Sequence, residues 1–133
     1  VFTMPDMQLG SDGVLRVDYG YNPVLTTAGF VHILDEREKI VSAPVPVLVK
    51  MSGRPKVQVN QTGIMHTSRY LSLTTAVAYV TKEWYIKHLI DKHITLNKPP
   101  LPIFVFETDQ EAINWLKRYL PTTESFKSGF SCL

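Results

Sequence analysis

Four histidines have the broadest chemical range in this sequence, because an imidazole can bind a metal or carry a proton near neutral pH. His88 and His93 belong to one candidate helix, where their spacing turns them about 140 degrees apart around its axis and away from a common ion. His88 and Asp91 have a workable spacing, yet two ligands are too few for a zinc site. His32 and His66 sit in no recognised pattern of cysteine or carboxylate ligands. The sequence also lacks a Gly-x-Ser-x-Gly nucleophile turn, a phosphate loop and a dinucleotide fingerprint. Carboxylate neighbours such as Asp35 and Glu36 fall on the charged side of a helix and read as solvated surface. The expectation is a chain with no metal, no cofactor and no catalytic centre.

Contact residues are the other candidates. Trp84 lies toward the flank of its helix, off the row of Ile86, Ile90 and Ile94, and so suits a surface anchor for a protein partner, a role in which tryptophan is frequent. Packing is the alternative for Trp84, as it is for Trp115. Arg37 falls on the apolar side of its helix and has two readings. Either its stem crosses the core edge with its head in water, or it contacts an anion or a partner. Phe126 and Phe130, with Leu133, are expected to dock on the domain or on a neighbouring chain.

The elements that hold these residues are most legible from Pro100 to Pro121. Ile103 to Phe106 is an unbroken apolar run, which predicts an inner strand covered on both faces. Thr108 then caps a helix in which Glu111 completes a capping box, and Pro121 stops it. Ala112, Ile113, Leu116, Tyr119 and Leu120 form its apolar face. Earlier in the chain, Met7–Leu9 and Val14–Tyr19 flank Gly10-Ser11-Asp12-Gly13 and predict an opening hairpin, with Leu15, Val17 and Tyr19 facing inward. Thr26 or Thr27 starts a helix to about Ile40 with Phe30, Ile33 and Leu34 inward. Pro44 to Met51 predicts a central strand, Thr62 or Gly63 opens a second helix, Thr74 to Val80 is a strand, and Thr81 caps a helix beginning at Lys82. Strands separated by helices predict a mixed, mostly parallel five-stranded α/β sheet with about four helices and an antiparallel hairpin edge.

The chain has 133 residues, enough for one domain with a real core. We expect that domain over residues 1–121, followed by a C-terminal tail over 122–133. A net charge of +2 is too small to suggest a nucleic-acid footprint. No apolar run reaches the length of a transmembrane segment, and VFTMPDMQLG lacks a basic stretch followed by an apolar one. The single cysteine, Cys132, excludes an internal disulfide and favours a reducing cytoplasm.

The opening hairpin, the VPVLVKM strand and LNKPPLPIFVFETDQEAINWL over residues 96–116 resemble the SpoIIAA-like superfamily, which contains STAS regulatory domains and the CRAL-TRIO lipid-binding fold. More narrowly, residues 7 to 120 are similar to a group of small uncharacterised bacterial STAS-like proteins, through the Pro-rich entry, the aromatic strand and the Ala-x-x-Trp-Leu helix. That resemblance implies a noncatalytic interaction or regulatory module, able to form a homodimer, with a small apolar ligand or lipid carrier as the alternative. Anti-sigma-factor antagonists of the STAS type open their second helix with Asp-Ser-Ser-Gly and are phosphorylated on its first Ser. The matching Asn60-Gln61-Thr62-Gly63 puts Gln61 at that position and leaves Thr62 beside it, a helix cap and a candidate phosphorylation site.

Overall fold

Alternation of Leu15, Val17 and Tyr19 with Arg16 and Asp18 gives a strand one apolar face and one polar face. In the computed structural model, which describes residues 3–58 and 68–120, this segment is β2 (Leu15–Tyr21), paired antiparallel with β1 (Asp6–Leu9). The Asp12 carboxylate fixes the turn between them. It accepts the Val14 N–H at 3.1 Å and two bonds from the Arg16 guanidinium, both at 2.9 Å.

Chain order continues through β3 (Val24–Thr26), α1 (Thr27–Glu38), β4 (Val45–Ser52), β5 (Lys56–Gln58), α2 (Ser68–Leu71), β6 (Thr74–Val80), α3 (Trp84–Asn97), β7 (Ile103–Phe106) and α4 (Asp109–Leu116). A 3-10 turn over Lys117–Tyr119 follows α4, so the α-helix ends earlier than the approach of Pro121 suggests. The main sheet has five strands in the order β1-β2-β4-β6-β7. Only the β1 pairing is antiparallel among these neighbours. The fold is thus α/β with a mixed, mostly parallel sheet. Two short strands that the sequence conceals, β3 and β5, make a separate parallel pair.

Strand β4 sits between β2 and β6, and its Val45 to Val49 are all buried, as a run covered on both faces requires. β7 corrects the expectation of an inner strand: among the described residues it is the edge, bonded only to β6. Its cover is also partial: none of its four residues is fully buried and Phe104 is 56% exposed. Phe104 and Phe106 meet Trp115 of α4, while Ile103 packs into the core on the opposite face.

Two cores fill the space on either side of the sheet. One joins Val17, Tyr19, Val47, Val49 and Val77 to Ile33 and Leu34 of α1, and Ile86 and Ile90 of α3 extend it. The other joins Leu48, Ala76, Ala78 and Val80 to Ala112 and Leu116 of α4. Small alanines in β6 let α4 approach closely. Helix starts follow local chemistry. The Thr26 hydroxyl accepts the Gly29 N–H at 3.0 Å, and the Thr108 hydroxyl accepts the Glu111 N–H at 3.2 Å while facing the Glu111 carboxylate at 3.0 Å. Before α3 the cap is Glu83 rather than Thr81, whose hydroxyl instead accepts the Glu83 N–H at 3.1 Å. Arg69 ties α2 to α1 through Glu38, at 2.9 and 2.8 Å, and through Asp35.

Candidate functional site

Parallel strands deliver their carboxyl ends to one edge of the sheet, where open α/β folds usually build sites. Tyr21, at the end of β2, and Trp84, at the start of α3, stand there, each 75% exposed. With Gly53, Arg54, Lys82, Glu83 and Tyr85 they line an open groove of about 350 Å³.

The groove is built on backbone that few residue types tolerate. Gly20, Asn22 and Gly53 have φ of 74°, 49° and 76°. A Cβ on Gly53 would meet the Asn22 side-chain oxygen Oδ1 and lie 2.8 Å from the Tyr21 ring. Asn22 Oδ1 accepts the Arg54 N–H at 2.7 Å, and the Glu83 carboxylate accepts the Gly53 N–H at 3.2 to 3.3 Å. Three loops are thereby fixed to one another. The Arg54 guanidinium lies over the Tyr85 ring, 4.6 Å from its centroid, and Tyr85 meets Trp84 edge-on at 6.1 Å. Chemically the rim offers aromatic faces, the Arg54 and Lys82 cations, and the Glu83 carboxylate that holds the Gly53 N–H.

A second groove, of about 320 Å³, opens on the half of the sheet that α4 leaves uncovered. Asp6, Gln8, Arg16, Asp18, Lys50 and Asp109 line it, and Lys50 bonds Asp109 at 2.9 Å. Arg16 is paired with Asp12 at 2.9 Å, while Asp6 and Asp18 stand opposite each other in the β1–β2 register.

The third feature is internal. Arg37 is only 5% exposed, which corrects the expectation of a head in water and leaves it little surface for a protein partner. Its Nη2 reaches the Leu73 carbonyl at 3.4 Å, its guanidinium sits 5.6 Å from the Tyr70 ring centroid, and its Nε has no hydrogen-bond partner. Burial pushes its pKa down, with Tyr70 and Tyr19 opposing. Arg37 lines a chamber of about 70 Å³ beside Val17, Tyr19, Tyr70 and Tyr79. A second chamber of about 60 Å³ lies under α3, with Ile86, Leu89, Ile90 and His93 in its wall. Desolvation lowers the His93 pKa.

A family model described as a domain of unknown function, DUF7793, matches residues 7–120. The chain belongs to the DUF7793 family. No curated protein and no solved structure matches this DUF7793 domain.

Of the contact residues expected from sequence, the DUF7793 domain exposes Trp84 and encloses Arg37. Thr62, and with it the Asn60-Gln61-Thr62-Gly63 segment, lies outside the described residues, as do Phe126 and Phe130. His88 and His93 share α3, and no cluster of three or more His, Cys, Asp or Glu suited to a metal occurs among the described residues. No helix among these residues is long and apolar enough to cross a membrane. Tyr21 and Arg54 were not visible as site residues. The Tyr21-Asn22-Pro23 and Ser52-Gly53-Arg54-Pro55 breaks were the signal, since each marks a strand end with turn chemistry.

Proposed function

We propose that this domain is a noncatalytic protein-interaction or regulatory module of SpoIIAA-like, STAS-like fold, working in the cytoplasm through the rim that carries Tyr21 and Trp84. A mixed sheet with an antiparallel first strand supports the fold reading. The observation that carries the functional reading is that both rings are 75% exposed at element ends whose neighbouring loops are tied together by hydrogen bonds. A backbone fixed in this way loses little freedom on docking, and covering the rings removes apolar area from water. With Arg54 and Lys82 beside them, they suit a partner surface that presents an apolar pocket edged by carboxylates. A second copy of the chain is one such partner, forming a homodimer. The lipid-carrier alternative draws less support, because chambers of 70 and 60 Å³ fall well below the roughly 300 Å³ typical of a ligand pocket.

Sedimentation and quantitative capture from the native host, with wild type, Trp84→Ala and Tyr21→Ser, test the reading. Leu96→Ala, exposed on the far part of α3, is the control. Self-association or a defined partner should be lost in both rim variants and kept in the control. Unchanged sedimentation together with an unchanged set of captured proteins would refute it.

A further inference from the structure

A guanidinium taken out of water normally brings a carboxylate with it, since an uncompensated buried charge is costly. Arg37 does not. No carboxylate among the described residues pairs with it, and its surroundings are three tyrosines, one backbone carbonyl and aliphatic side chains. The unpartnered Nε–H belongs to a side chain that forms part of the wall of a narrow, partly sheltered space. That space is not isolated: Leu25, Met51 and Tyr79 line both chambers, so the two meet across the flexible thioether of Met51.

We propose that the Arg37 chamber binds a small organic monoanion, with a carboxylate on the Arg37 guanidinium and a short apolar chain directed past Met51 toward Ile86 and Ile90. The chemistry selects this class. A planar carboxylate matches the edge of a guanidinium, and the Nε–H supplies a donor with no other use. A phosphate or sulfate dianion needs several charged donors, whereas beyond Arg37 and the neutral tyrosine hydroxyls the described wall offers apolar side chains such as Val17, Leu25, Phe30, Ile33 and Val47. A chain of lipid length would overfill chambers of 70 and 60 Å³. The site is independent of the Tyr21 and Trp84 rim and stands whether or not that rim docks a protein.

Calorimetric titration of the full chain with acetate, butyrate and hexanoate at constant ionic strength, against butyramide, tests it. Butyrate should bind saturably, and affinity should tighten by about fourfold per added methylene until the space is full. Butyramide should bind about tenfold or more weakly, because it cannot make a charge-assisted bond. Arg37→Met should remove the preference for the acid over the amide. Equal binding of butyrate and butyramide, or a preference retained in Arg37→Met, overturns the proposal. Should that variant fail to fold, wild type labelled at its methionine methyls decides. Saturable butyrate-dependent shifts at Met51 and Met7 support the site, and no shift at either methyl up to the highest concentration the fold tolerates overturns it.

Discussion

Arg37→Met is expected to stabilise the ligand-free protein, although it deletes a buried hydrogen-bonding group. The Leu73 carbonyl loses a long contact at 3.4 Å but keeps the Val45 N–H at 3.1 Å, and the buried Tyr70 hydroxyl loses its bond to Arg37 but keeps its contact with Thr74. The cation over Tyr70, at 5.6 Å, is lost at a cost of about 1 kcal/mol. Against this, an unsatisfied Nε–H worth about 1–3 kcal/mol disappears, and so does the desolvation of a charge whose replacement by apolar groups is typically neutral or stabilising by about 1–4 kcal/mol. Methionine retains much of the stem and adapts to the wall formed by Phe30, Ile33 and Leu34. The net expectation is a gain of about 1–2 kcal/mol, or roughly 5 °C in Tm. Urea unfolding at neutral pH in a buffer free of organic acids measures it. Arg37→Lys is the companion variant. It keeps the charge and gives up the planar contact with Tyr70, so it should be less stable than wild type. A methionine variant destabilised by more than about 1 kcal/mol would refute the claim that this charge is held at a cost.

Two further outcomes follow from the turns. The Arg16 hydrogen bond, helped by the Val14 N–H and opposed by burial, holds the Asp12 carboxyl down from its ordinary 3.8 to about 2. A depressed carboxyl stabilises the fold above its unfolded value, so the contribution is full above about pH 5, fades between roughly 4 and 2, and vanishes below. With both side chains about a third exposed, screening limits it to about 1 kcal/mol. Urea midpoints of wild type and Asp12→Asn should therefore differ at pH 6 and converge near 2; a gap that persists at low pH would count against the ion pair. Gly53→Ala forces a Cβ onto φ of 76° and against Tyr21 and Asn22, and should cost about 2 kcal/mol while altering the near-UV circular dichroism of Trp84 and Tyr85. A variant with wild-type stability and spectrum would show that the rim is not locked as described.

The scaffold was legible wherever a local rule had no competitor. Thr108 followed by Glu111 announces a helix start, and the Val45 to Val49 run announces a central strand, because caps and two-sided burial act within a few residues. β3 and β5 were missed because strands of three residues show no period, and they form only because the chain brings Val24 opposite Lys56. β7 reveals how an apolar run misleads: hydrophobicity reports what lies above and below a strand, while its hydrogen-bonding neighbours depend on where the chain goes next. Arg37 was visible on the apolar side of α1, but its depth depends on Tyr70 and Leu73, which arrive from another part of the chain. The rim was hidden for the same reason, since Tyr21, Gly53 and Glu83 come from three separate loops.

The position of β7 at the margin of the sheet carries a hazard for growth of the sheet from one molecule to the next. Its outer backbone groups and its half-exposed Phe104 are the ingredients of a template on which copies could polymerise. Among the described residues β7 pairs only over Ile103 to Phe106, and Pro99, Pro100 and Pro102 precede them without an amide hydrogen to offer. Removing those prolines would lengthen the template, and fibril formation on storage is the consequence we would look for first.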